Sequence, residues 1–328
     1  MNSFSSFASK LHQVNEESFT DIALNLFRYQ AEANQIYKSF LNHLNVDVGA
    51  VTTLTGIPFL PISFFKRHAI QSESWNPEVI YTSSGTTGSV TSRHMVRSVD
   101  LYHNHAVRCF EGMYGSLRNF HILALLPSYL ERSGSSLISM VSHFIEKSGS
   151  ADAGFYLNDI AALRTKIEHL RNSGRQILLW GVTFALLDLA DQHPSDLSDV
   201  MIMETGGMKG RGKEITRAEF YGVLREKLNC RRIYSEYGMT ELMSQAYTAG
   251  EPVFRPPASM KVIGRDMSDP MHKGLVGETA GLNIIDLANI HSVAFLETED
   301  LGRVYEDGTF EILGRMDNSD VRGCNLLL

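Results

Sequence analysis

The stretch that most restricts this chain is Thr82-Ser83-Ser84-Gly85-Thr86-Thr87-Gly88-Ser89, in which every residue is a glycine or carries a hydroxyl. It follows the apolar segment Val79-Ile80-Tyr81, so the pattern predicts a strand running into a loop. Glycines let backbone N–H groups turn toward an anion, and hydroxyls donate to phosphate oxygens without adding fixed charge. Arg93 adds a cation just beyond. The strand before and the arginine after favour phosphate binding over a plain Ser/Gly linker.

A second glycine-rich segment, Gly207-Met208-Lys209-Gly210-Arg211-Gly212-Lys213, has the spacing of a P-loop. Glu214 stands where a Ser or Thr would ligate Mg²⁺, and a carboxylate there repels phosphate. The segment reads instead as a basic turn leading into a helix around 213–229.

Apolar residues at helical spacing between Gln13 and Leu44 predict two or more amphipathic helices in an N-terminal region, 1–75. Over 76–250, apolar segments at 121–126, 176–180, 200–203 and 232–234 alternate with helical patterns near 98–114, 159–171 and 182–190, which predicts a layered α/β core. Over 251–328 strand-like pieces follow one another (Leu282–Asp286, Val293–Glu297, Arg303–Tyr305, Thr309–Leu313), and Asp307-Gly308 signals a tight hairpin. This part reads as a β-rich subdomain, and no boundary divides the chain into independent domains, so 1–328 is read as one.

Composition narrows the function. With 328 residues, 43% hydrophobic and 20% charged, the chain is long enough for a large core, and a formal charge of −7 argues against a general nucleic-acid binder. Cys109, Cys230 and Cys324 are odd in number and far apart, which fits a reducing cytoplasm better than a disulfide framework. The N-terminus lacks a signal-peptide pattern, and the longest apolar run, Ile177 to Leu187, is too short to span a bilayer. Cys109 and Cys230 read as core residues, and the helical spacing of His103 and His105 argues against a shared metal.

Three further segments fit a nucleotide. In Tyr237-Gly238-Met239-Thr240-Glu241 the ring can stack on a purine, Gly238 admits close backbone approach, Thr240 can bond an α-phosphate and Glu241 can hold Mg²⁺. Asp300 is suited to accept bonds from both ribose hydroxyls, and Arg315, in Gly314-Arg315, can add a charge-assisted donor.

The succession Ser83-Ser84-Gly85-Thr86-Thr87-Gly88, Tyr237 to Glu241, Gly277-Glu278, Asp300 and Gly314-Arg315 resembles the adenylate-forming superfamily of acyl-CoA ligases, luciferases and peptide-synthetase adenylation domains. Leu125 to Arg132, Thr205 to Arg211 and the terminal Asp320-Val321-Arg322-Gly323-Cys324-Asn325 are most similar to the acyl-protein synthetases of the bacterial bioluminescence fatty-acid reductase complex. The resemblance implies a layered adenylation domain with a β-rich C-terminal subdomain. It implies ATP- and Mg²⁺-dependent activation of a carboxylic acid, a fatty acid by the narrower resemblance, to acyl-adenylate, followed by acyl transfer to a thiol. It assigns Ser83 to Gly88 to the β- and γ-phosphates, Gly206 and Gly207 to adenine and the acyl carbonyl, Tyr237 to adenine, Thr240 to the α-phosphate, Glu241 to Mg²⁺, and Asp300 and Arg315 to ribose. The family's C-terminal lid domain, with its catalytic lysine, is expected to be absent; Arg93, Lys209 or Arg211, or a partner subunit, is left to supply positive charge. Cys324 matches the cysteine that accepts the acyl group before a reductase subunit does. An acid–CoA ligase, with CoA as acceptor, and a non-catalytic nucleotide-binding module are the competing readings.

Overall fold

The computed structural model describes residues 4–83, 90–126, 134–157, 159–206 and 216–316. In chain order the helices are α1 (Phe4–Leu11), α2 (Glu16–Ala33), α3 (Gln35–His43), α4 (Val99–Tyr114), α5 (Ser136–Ser148), α6 (Ile160–Leu170), α7 (Thr183–Gln192) and α8 (Arg217–Leu228). The strands are β1 (Leu60–Pro61), β2 (Val79–Thr82), β3 (Arg93–Val96), β4 (Phe120–Leu125), β5 (Gly154–Phe155), β6 (Gln176–Val182), β7 (Met201–Thr205), β8 (Ile233–Tyr237), β9 (Ala246–Thr248), β10 (Phe254–Arg255), β11 (Met260–Arg265), β12 (Lys273–Leu275), β13 (Ala280–Asp286), β14 (Phe295–Val304) and β15 (Phe310–Arg315). Two compact units emerge: Met1–Phe64 with Ile70–Glu73 and Ala258–Leu328, and Phe65–Ala69 with Ser74–Pro257.

The second unit holds the α/β core that the alternating pattern predicts. Its sheet runs β5-β4-β6-β7-β8-β9-β10, parallel from β5 to β8 and antiparallel beyond. Strands β4 and β7 are buried along their whole length, as expected where both faces of a parallel sheet are covered. An aromatic cluster anchors the core, with Phe110 5.4 Å from Phe144 and 6.1 Å from Trp180 between ring centroids. Helix α5 has apolar residues at helical spacing behind Ser135, whose hydroxyl accepts from the Ile138 N–H as an N-cap. Strands β2 and β3 form a separate two-stranded hairpin. Helix α8 opens on a capping box between Thr216 and Glu219, while residues 213–215 of the predicted helix lie outside the described residues.

In the first unit β12-β11-β13-β14-β15 form an antiparallel meander, with β1 added parallel to β14. The segments Val293–Glu297 and Arg303–Tyr305, read separately from the sequence, overlap the two ends of a single strand, β14, which runs unbroken from Phe295 to Val304. The predicted hairpin turn closes β14 onto β15, with Gly308 at φ +79°. Helix α2 is bound to this sheet through Gln30: its amide donates to the Asn289 and Ile290 carbonyls and its Oε1 accepts from the Ala294 N–H. Asn34 ends α2, caps α3 and donates to the Ser292 carbonyl, so one side chain fixes a helix corner. Among the described residues no helix is long and apolar enough to cross a membrane.

Candidate active site

Ligands of open α/β sheets bind outside the carboxyl ends of the parallel strands, where the chain leaves the sheet and backbone groups are not consumed by pairing. In the second unit β7 ends there in Glu204-Thr205-Gly206, and β8 in Glu236-Tyr237-Gly238. The segment Met239 to Glu241 continues from β8 and turns back toward β9, with the Leu242 N–H donating to the Met239 carbonyl at 3.1 Å. Thr240 is half-buried, whereas Glu241 is 5% exposed. Gly206 is exposed, and among the described residues no atom lies within 4 Å of a Cβ placed on it. Tyr237 is buried, its ring tilted against Phe254 at 5.8 Å.

The hairpin of β2 and β3 carries the hydroxyl-rich loop. Ser83 is its last described residue on the β2 side: its N–H donates to the Ser92 carbonyl at 3.1 Å and its Oγ accepts from the Ser92 N–H at 2.9 Å. These bonds pin the two ends of the loop together. Ser84, Gly85, Thr86, Thr87 and Gly88 lie outside the described residues, as do Gly207, Lys209, Arg211 and Cys324. Arg93 is exposed and stands opposite Thr82 at the start of β3. The next residue, His94, is buried, and its Nδ1 lies 2.7 Å from the Thr240 carbonyl. A bond across the fold thus joins the Ser83 hairpin to the Thr240–Glu241 turn, two segments that the sequence brings forward independently.

Beneath the strand ends lies a buried acidic pair. The Thr205 hydroxyl donates to Glu236 Oε2 at 2.5 Å, and the Thr183 hydroxyl donates to Glu204 Oε1 at 2.7 Å. Burial pushes the Glu236 carboxyl up from 4.5 to about 7; the Thr205 bond opposes this and the Glu204 charge adds to it. Glu236 also explains Gly238, since a Cβ there would collide with Glu236 Oε1. Glu236 braces β7 against β8 below the candidate site and was not singled out in the sequence, where it reads as one polar residue in a strand.

A carboxyl that keeps its proton longer when folded contributes stability that is complete below about 4.5 and disappears as pH rises through about 7. Glutamine is neutral throughout. Glu236→Gln is therefore expected to melt with the wild type at pH 4.5 and to be more stable at pH 8 by roughly 3 kcal/mol. Burial lowers His103, His121 and His143, so all three destabilise the fold as pH falls below 6.5, but both proteins share that loss. The difference between their melts isolates Glu236; equal stability at pH 8 would show that the carboxyl carries no such strain.

In the first unit Asp300 and Arg315 are cross-strand partners on β14 and β15, Arg315 Nε lying 3.3 Å from Asp300 Oδ1. The Asp300 side chain is 9% exposed and that of Arg315 68%. Behind them the buried Arg265 donates to the Leu282 carbonyl, Asn283 Oδ1 and the Thr298 carbonyl at 2.8–3.0 Å, and the Asp300 N–H donates to Thr298 Oγ1 at 3.1 Å. Gly281 leaves room for that guanidinium: a Cβ would stand 2.7 Å from its Cζ. Burial lowers the Arg265 pKa, and the Glu297 and Asp300 charges oppose the shift.

No protein-family profile and no curated protein matches the chain. Solved structures do. An open conformation of 2-hydroxyisobutyryl-CoA ligase in complex with 2-HIB-AMP and CoA superposes with a TM-score of 0.66 at 10% identity, over 92% of this chain and 75% of that one. ATP-bound MatB from Rhodopseudomonas palustris matches with a TM-score of 0.52 at 15% identity, over 74% of this chain and 49% of that one. O-succinylbenzoate coenzyme A synthetase (MenE) from Bacillus subtilis, in complex with AMP, matches with a TM-score of 0.51 at 17% identity and the same coverage of 74% and 49%. The chain thus spans about half the length of the latter two, 49% of each. The likeness is one of fold: the chain shares its mixed α/β architecture with these ligases and synthetases.

Proposed function

We propose that the chain activates a carboxylic acid with ATP, releasing pyrophosphate, and passes the acyl group from AMP to a thiol. The observation that carries this reading is the tie between the Ser83 hairpin and the Thr240–Glu241 turn at the carboxyl end of the parallel sheet. Ser83 to Gly88 take the β- and γ-phosphates, Gly206 and Gly207 border adenine and the acyl carbonyl, and Tyr237 meets adenine, with Gly238 admitting the nucleotide close to the backbone. Asp300 and Arg315 bind ribose. The Glu241 carboxylate is a hard oxygen donor and fits Mg²⁺, which binds through one or two carboxylates together with phosphate oxygens. When bound, Mg²⁺ supplies charge neutralisation to the phosphates.

In the first step a carboxylate oxygen bonds to the α-phosphorus as the bond to the pyrophosphate oxygen breaks. The Thr240 hydroxyl orients the α-phosphate, and Arg93 offers positive charge at the mouth of the loop. In the second step a thiolate attacks the acyl carbonyl, and the C–O bond to AMP breaks. The thiol is that of Cys324, whose setting resembles the acyl-accepting cysteine of the acyl-protein synthetases. A fatty acid in the cytoplasm and a reductase or other acyl-accepting protein downstream follow from the same resemblance. The likeness to a ligase solved with CoA favours free CoA as the competing acceptor.

The test is ATP–pyrophosphate exchange with Mg²⁺ over a panel of carboxylic acids of increasing chain length. Exchange that depends on acid, and that rises with apolar chain length, is the expected result. MgATP binding without exchange for any acid would leave a nucleotide-binding module, and neither binding nor exchange would end the nucleotide reading.

A further inference from the structure

We propose that His94 is a positioning residue for MgATP: its bond to the Thr240 carbonyl sets Thr240 and Glu241 against the hairpin that carries the hydroxyl-rich loop, before nucleotide arrives. This rests on the acid-activation reading above. An isolated two-stranded hairpin is at best marginally stable in water, so β2 and β3 depend on ties to the rest of their unit. Several are visible. The Thr82 N–H donates to the Gly134 carbonyl at 2.8 Å, the Tyr81 hydroxyl donates to Ser139 Oγ at 2.7 Å, and Glu78 Oε2 accepts from the Val99 N–H at 2.8 Å. These hold the hairpin to α4, to α5 and to the segment before α5. His94 holds it to the turn that offers the proposed α-phosphate and cation contacts.

The chemistry of that bond is specific. A carbonyl only accepts, so His94 Nδ1 carries the proton and donates at 2.7 Å. The ring is 2% exposed and meets Phe65 edge-on at 5.5 Å between centroids, which excludes water and fixes the ring plane. A second histidine meets the far end of the same turn: His105 Nε2, on α4, lies 2.8 Å from Ser244 Oγ. The Thr240–Ser244 segment is thus bracketed by side chains from β3 and α4, the two elements that follow the loop in sequence. A rotation at Thr240 would displace the hydroxyl and the adjacent carboxylate together. Preorganisation of this kind is felt as affinity, because the ordering cost is met before the ligand binds.

The experiment is MgATP titration by calorimetry on the full chain, with thermal melts of each variant. His94→Leu removes the donor while keeping an apolar side chain and is expected to weaken MgATP binding by ~10- to 100-fold, the range for a buried carbonyl left without its donor. His94→Asn places an amide N–H near the Nδ1 position and is expected to bind MgATP close to wild type. His121→Leu is the control: His121 is also buried, between the Ser150 and Ser173 hydroxyls near the start of β4, so this variant should lose melting temperature but not affinity. Wild-type affinity in His94→Leu overturns the proposal and leaves the acid-activation reading standing. Asparagine as weak as leucine, or His121→Leu equally weak, also overturns it, by tracing the loss to packing. A wild-type protein that binds no MgATP removes both.

Discussion

Glu241→Gln is expected to lower acid-dependent pyrophosphate exchange by ~100-fold or more at fixed Mg²⁺, since a carboxylate holding a cation on transferring phosphates is worth several kcal/mol in the transition state. The amide keeps the shape of the side chain and removes the charge that attracts a hard cation. Glu241 is 5% exposed, so it presents a nearly dry carboxylate, in which an electrostatic interaction is stronger than at the surface. Raising Mg²⁺ should recover part of the lost rate, because the defect is one of cation affinity. A thermal melt run beside the assay separates this from simple unfolding. Exchange at the wild-type rate, with unchanged Mg²⁺ dependence, would take Glu241 out of the cation site.

The residues that build this argument differ in how openly the sequence displays them. Strands β4, β6, β7 and β8 are legible because each is a short apolar run between helical patterns, and burial on both faces demands such runs. Helix α5 has a serine-rich start without apolar periodicity, and its beginning becomes evident only where Ser135 caps it. Strand β14 was divided because Thr298 to Gly302 interrupts the apolar pattern. That polar stretch stays in the strand since β13 and β15 pair with it on either side, across register shifts near Gly281 and Gly302.

The site shows the same division. Ser83 and Tyr237 to Glu241 are contiguous sets of hydroxyls, glycine, ring and carboxylate, so their chemistry is visible in one dimension. His94 and Glu236 act through partners that only the fold supplies. The His94–Thr240 bond spans a separation of 146 residues, and the Thr205–Glu236 bond exists because β7 and β8 are neighbours in the sheet. A lone histidine beside an arginine carries no local pattern that distinguishes it from a core residue. Arg265 is similar: its place among β11, β13 and β14 depends on the missing side chain at Gly281, sixteen residues along the chain.

Given ATP, Mg²⁺ and a labelled acid that supports exchange, the protein is expected to become labelled on one cysteine, and Cys324→Ser is expected to abolish the hydroxylamine-labile label while exchange continues. The structure narrows the choice of thiol. Cys109 is 6% exposed and its sulfur lies 3.5 Å from His105 Nε2 in the core, while Cys230 is 2% exposed and burial pushes its thiol up to about 11. A thiolate is the nucleophile, so a buried thiol held neutral is a poor acyl acceptor. Cys324, followed by Asn325 and preceded by Arg322-Gly323, is the remaining cysteine. A thioester there should be released by neutral hydroxylamine, whereas an oxygen ester formed on the substituted serine would resist it. Because activation precedes thiol attack, the substitution should leave the exchange rate unchanged. A hydroxylamine-labile label that survives Cys324→Ser, or acyl transfer that appears only when CoA is added, would make Cys324 a bystander and assign the second step to an acid–CoA ligase.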